Sequence, residues 1–139
     1  MTHWIDALEN PQAIVSVFGD VVPSLSGVDL HEVLLNRDLP HAIVRFDIDE
    51  YPAPAPIKWS RQGYNRVQLE LRLDLVTRVS IVDWDTGCRV DLALRRSGTS
   101  VVLTSQNGAA ALELVAEMAR ITQVSPYIDG RRMSVGAGR

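Results

Sequence analysis

One cysteine, one lysine and three histidines are all that this 139-residue chain offers of the side chains most used in nucleophilic and metal chemistry. Cys88 cannot close an internal disulfide, and no Cys/His spacing fits a zinc site. It falls on the apolar phase of a strand pattern, which marks a buried, inert thiol rather than a nucleophile. No GxGxxG, Walker A loop, HExxH or GxSxG motif occurs, so no catalytic residue, metal or cofactor is expected from motifs. Long apolar runs are missing as well. "AIV" at 13–15 and "AAALELV" at 109–115 fall far short of the roughly 20 residues that span a bilayer. The start, "MTHWIDALENPQAIVSV", has Asp6 and Glu9 and no basic segment followed by an apolar one. No secretory signal is read there, and the cytoplasm is the expected location.

What is present is ordinary globular material: 46% hydrophobic and 22% charged residues, a composition that supports a proper core. Thirteen of the fourteen basic residues are arginine, as a GC-rich bacterial genome would produce. The net charge of −3 is small, but it is unevenly spread. Residues 1–50 carry nine acids against Arg37 and Arg45, whereas residues 51–139 carry eight acids against twelve bases. An acidic face would repel nucleic acid and attract a basic partner, unless folding mixes the two halves.

The first twenty residues read as helix. Thr2 is placed to cap "HWIDALE", with Trp4, Ile5 and Leu8 on one face, and Pro11 suits the first turn of a second helix ending at Gly19. From Val28 the period changes to 2. "VDLHEVLLNR", "HAIVRFDID" and "NRVQLELRLDLV" read as strands with one buried and one wet face, the usual pattern of antiparallel sheets. "TRVSIVDWD" and "CRVDLALRR" flank "DTG" and predict a hairpin, and "TSVVLTS" predicts a further short strand. Alanines favour a helix at 109–119, yet "ITQVSPYI" is strand-like, and the stretch is taken as two strands. The expectation is an α+β fold, mainly β: an antiparallel sheet of seven or eight strands with N-terminal helices packed on it. It forms one domain over 1–128, with helices near 2–19, strands over 28–128 and a frayed tail at 129–139.

Three motifs remain as candidates for function. "DIDE" places Asp47 and Asp49 on one side of a strand end with Glu50 beyond, and "DWD" repeats the spacing at Asp83 and Asp85. Such pairs can hold a hard cation or act as acid and base, and they are more often solvated strand ends. His31 and Glu32 are adjacent in a strand, so they point to opposite faces, but His31 can pair with an acid on a neighbouring strand. "YPAPAPIKW" reads as a polyproline-type rod that presents Trp59, either as an interface anchor or as a core residue.

These segments resemble a known family. "PSLSGVDLHEVLL", "VRFDIDEYPAPAPIKW", "GYNRVQLEL", "VDW" and "ARITQVSPYI", with the Trp4 helix, are similar to immunity protein 50 of bacterial polymorphic toxin systems, from residue 4 to 128. The resemblance implies a cytoplasmic protein that binds and neutralises a cognate toxin without catalysis. Pro52, Pro54, Pro56, Lys58, Gly63 and Asn65 then stand as its structural signature. The expected partner-binding residues are Asp29, Glu32, Asp47, Asp49, Glu50 and Trp59, against a toxin domain that is basic if it meets the acidic face. No nucleic acid or membrane is expected as a partner, and the chain would be a monomer or homodimer. The alternative is a small β-sheet ligand- or metal-binding domain, or an enzyme, using the "DIDE" and "DWD" carboxylates.

Overall fold

A computed structural model describes residues 3–85, 88–108 and 110–130. A single 3₁₀ turn at Trp4–Ala7 is followed by helix α1, Gln12–Phe18. Thr2, the expected cap, lies outside the described residues. His3 takes that place, its backbone N–H donating to Asp6 at 3.1 Å. Pro11 immediately precedes α1 and its carbonyl accepts from Ile14 and Val15, and Gly19 ends the helix at φ 67°. Ile14 and Phe18 reach the core as the 3.6-residue period requires.

Eight strands follow: β1 Val28–Asn36, β2 His41–Ile48, β3 Arg66–Asp74, β4 Arg78–Val82, β5 Arg89–Ser97, β6 Ser100–Gln106, β7 Ala111–Ala116 and β8 Met118–Tyr127. All pairings are antiparallel, in the order β4-β7-β6-β5-β1-β2-β3-β8. The stretch open to either reading is two strands, β7 and β8, joined through Glu117 alone. That one-residue link has a consequence. β8 ends the row at one side and β7 stands next to last at the other, so the sheet must curl until its two ends meet.

The concave side of the curl is the core. Ala42, Val44, Phe46 and Ile48 of β2 lie opposite Leu73, Leu71, Leu69 and Val67 of β3 in register. Val90, Leu92 and Leu94 of β5, with Leu103 and Leu114 opposite one another on β6 and β7, complete the lining. Cys88 belongs to the same buried cluster. The small N-terminal helices close one side, and they are a minor part of the fold.

The predicted β4–β5 hairpin does not form. β4 pairs with β7 instead, and β5 runs between β1 and β6. Thr86 and Gly87 of the expected turn lie outside the described residues. Local turn chemistry misled because β3 runs on into β4 within three residues, which carries β4 to the far side of the curl. A further helix, α2 Ile57–Gln62, was not foreseen: the proline segment bends at 53–54 and Pro56 then starts a helix rather than extending a rod. A residue preceding the helix with fixed φ suits that role as well as it suits a rod.

The edge of β8 is covered at its two ends. Glu9 donates its N–H to Ala119, and the Asn10 side chain makes two bonds to the Ile121 backbone, at 2.8 and 2.9 Å. Asn65 acts similarly at the other end. Its N–H reaches the Tyr127 carbonyl, and its side-chain amide pairs with the Asp129 backbone at 2.8 and 3.2 Å. Asp129, which the sequence assigns to the tail, is therefore held. Residues 131–139 lie outside the described residues.

Candidate functional site

The convex face of β1, β2 and β3 is polar, and a bulge in β1 organises it. Asp29 lies opposite Asp47 and Leu30 opposite Phe46, but Glu32, not His31, lies opposite Arg45. Asp47 and Arg45 are two residues apart and share a face, so Asp29 and Glu32 share that face although they are three apart. By strict alternation Glu32, one residue after His31, would point away from Asp29, and the bulge removes that separation. The inserted residue, His31, reaches back over Asp47.

Asp47 is the centre of the cluster. It is only 2% exposed, yet it carries a carboxylate. His31 Nε2 lies 2.9 Å from its Oδ2, and Gln68 Nε2 donates to its Oδ1 at 3.2 Å. The Tyr127 hydroxyl donates to the same Oδ2. Arg66, also buried, places Nε 3.5 Å from that oxygen, an ion pair without hydrogen-bond geometry. Burial alone would push the Asp47 carboxyl up. The hydrogen bonds from Tyr127, His31 and Gln68, with the attraction of His31, outweigh it and hold the group below the usual carboxylate range. Tyr127 shows the complement: burial first, then its bond to Asp47, push the phenol up to about 12.

Beside this cluster runs a ladder of half-buried charges. Arg45 bridges Glu32 at 3.0 Å and Glu70 at 3.1 Å, and Thr122 on β8 donates to Glu70 at 3.0 Å. The acidic half of the chain is thus mixed with the basic half in part, since Arg66 faces Asp47 and Arg96 reaches Glu9. The face still has more acid than base: Asp29, Glu32, Asp47, Glu70 and Asp74 stand against Arg45, Arg66 and Arg72.

The other expected contact residues are placed less closely together. Asp49 and Glu50 follow β2 and are exposed, with Glu50 accepting the Ser24 N–H at 2.7 Å. Trp59 is half-buried in α2, its ring centroid 5.9 Å from that of Tyr51, so it neither sits in the core nor stands clear of the surface. Pro52 is buried, Pro54 and Lys58 are exposed, and Gly63 ends α2 at φ 73°, a left-handed position that favours glycine. The histidine–carboxylate pairing across strands is realised as His31–Asp47. Arg66 and Tyr127 were missed. Arg66 begins a strand and Tyr127 ends one, and only their pairing in register across β3 and β8 shows that they meet.

Could the cluster hold a cation? Asp29, His31 and Asp47 bring donor atoms within 4.8 Å of one another. The set fits a metal poorly. Asp47 Oδ2 already accepts the Tyr127 hydroxyl and faces His31, and a second positive charge would stand beside the buried Arg66 guanidinium. The arrangement instead fixes a histidine and two carboxylates on a convex, protein-sized face.

Comparison with protein families decides the affiliation: the model of immunity protein 50 matches residues 10–127. The chain belongs to the immunity protein 50 family. The match spans the sheet from before β1 to the last residue of β8 and leaves the 3₁₀ turn with Trp4 outside it. No curated protein and no solved structure matches the chain. Within this immunity protein family member, the Asp47 cluster, the charge ladder and the proline–tryptophan segment all lie inside the matched region. No helix among the described residues is long and apolar enough to cross a membrane.

Proposed function

We propose that this protein binds and neutralises a cognate bacterial toxin in the cytoplasm, as part of a polymorphic toxin system, and performs no reaction of its own. Family membership carries the reading. The geometry supports it, because the polar groups gather on an outward face built on a rigid sheet, as an inhibitor requires.

In this reading the contact surface is the acidic side of β1 and β2. Asp29 and Glu32 meet the toxin directly, and Asp49, Glu50 and Trp59 extend the surface beyond the end of β2. Asp47, being buried, contributes through His31, which it orients, and through its charge. A basic toxin domain fits this face, and its capture would be accelerated by charge, with on-rates up to about 10⁸–10⁹ M⁻¹s⁻¹ at low salt.

The test is a calorimetric titration of the toxin domain encoded beside this gene into the purified protein at low and high salt. Wild type should bind more weakly as salt rises. Replacing Asp29→Lys together with Glu32→Lys should weaken binding by about tenfold or more at low salt and flatten the salt dependence. Unchanged affinity in that double variant would remove this face from the interface.

A further inference from the structure

The curled sheet is not sealed along its whole length. Among the described residues β1 pairs with β5 only at Val28 and Asp29, so the backbone of residues 31–36 has a ladder partner on one side alone, β2. β4 ends the row and, among the described residues, pairs only with β7. These two edges face each other across an open cleft. At one end it is lined by His31, Glu32, Val33, Ile81 and Trp84, and at the other by Leu35, Arg37, His41, Arg78 and Val79 among others. The lining pairs β1 residues of rising number with β4 residues of falling number, so the edges run antiparallel.

No ladder joins β1 to β4 among the described residues. Directly paired strands lie about 4.8 Å apart, and two strands with a third between them lie about 9.6 Å apart. The open space between the edges, lined from both, is where an intervening strand would pair with each.

Its chemistry also suits an extended peptide. Each edge offers unpaired N–H and C=O groups, the pattern that strand addition uses. Val33 and Ile81 close the floor against the core, while Val79 is 41% exposed, Val82 51% and Trp84 45%. Glu32 and Asp83 lie near the Trp84 end, and Arg37 and Arg78 lie at the other. The opposite edge of the sheet, β8, is bonded at Ala119 and Ile121 by Glu9 and Asn10.

We propose that the β1–β4 cleft receives an extended segment of the toxin as an added strand that completes the curl. This rests on the toxin-binding reading above. The segment carries apolar side chains at alternate positions and a basic residue at the end that meets Glu32 and Asp83. Lying between antiparallel edges, it runs parallel to one and antiparallel to the other.

Hydrogen exchange on the protein alone and in its complex with the neighbouring toxin domain tests this. Alternate amides of 31–36 and those of 78–82 that face the cleft should become protected in the complex. Val79→Glu and Trp84→Ala should each weaken binding by about tenfold or more while keeping the wild-type melting temperature. Val82→Glu serves where either fails to fold. Toxin that is bound and neutralised with no new protection in these strands, and with wild-type affinity in the variants, overturns the cleft and leaves the immunity reading standing. Protection that grows with protein concentration in the absence of toxin assigns the cleft to a second copy and overturns the proposal. A wild-type protein that neither binds nor neutralises the toxin removes both readings together.

Discussion

A single carboxylate holds the polar face together. Asp47 gathers a histidine from β1, a glutamine and an arginine from β3 and a tyrosine from β8, so removing its charge strands the buried Arg66. Asp47→Asn should cost about 3 kcal/mol of stability, the usual loss when one member of a buried pair is deleted. Denaturant melts of the two proteins would measure it. The loss should also depend on pH in a defined direction. Asp47 is held below the ordinary value of about 3.9, so its contribution is complete above that pH and disappears as pH falls through the folded-state value. The gap between wild type and Asp47→Asn should therefore close in acid. Tyr127 behaves in the opposite sense. Its folded value, about 12, lies above the ordinary value of about 10, so its contribution is present below pH ~10 and is lost as pH rises through about 12. Tyr127→Phe should narrow the alkaline loss of stability, and a melt series from neutral to strongly alkaline pH would show it. An equal alkaline loss in both proteins would contradict this role.

At the scale of elements, the alternation of apolar and polar residues reports which face of a strand is buried but not its partner. β3 was legible because Leu69 and Leu71 alternate strictly with polar residues, and β2 because Val44 and Phe46 do so apart from Ile43. β7 and β8 were legible only as strands, since the one-residue link that makes the sheet curl looks like a helix interior in an alanine-rich stretch. The β4–β5 hairpin was misread because "DTG" is good turn chemistry, while the pairing of β4 with β7 depends on contacts about thirty or more residues away. The site suffered similarly. A strict period of 2 would turn Glu32 away from Asp29, and one inserted residue, His31, reverses that. Two glycines show how local geometry fixes elements. Gly63 ends α2 in the left-handed region, so Gly63→Ala should cost about 1 kcal/mol. At Gly108 an added Cβ would collide with the Arg89 carbonyl oxygen and the Val90 side chain, so Gly108→Ala should be worse. Thermal melts of both variants would rank them, and equal stability would contradict the close approach of residue 108 to β5.

On the scale of the whole molecule, the family and the mainly β architecture were both readable from sequence, whereas the convex acidic face and the β1–β4 cleft needed the fold. Charge asymmetry between the halves indicated acid in the N-terminal region, and the fold concentrates part of it on β1 and β2 and neutralises part through Arg45, Arg66 and Arg96. The resulting surface combines a rigid acidic face with an open seam, both suited to a protein partner. Coexpression tests this most directly: cells producing the toxin domain encoded beside this gene, with and without this protein, are scored for growth. Growth only when the protein is present, together with copurification of the pair, is the predicted result. Death at the same rate in both cultures, with both proteins soluble, would contradict the account.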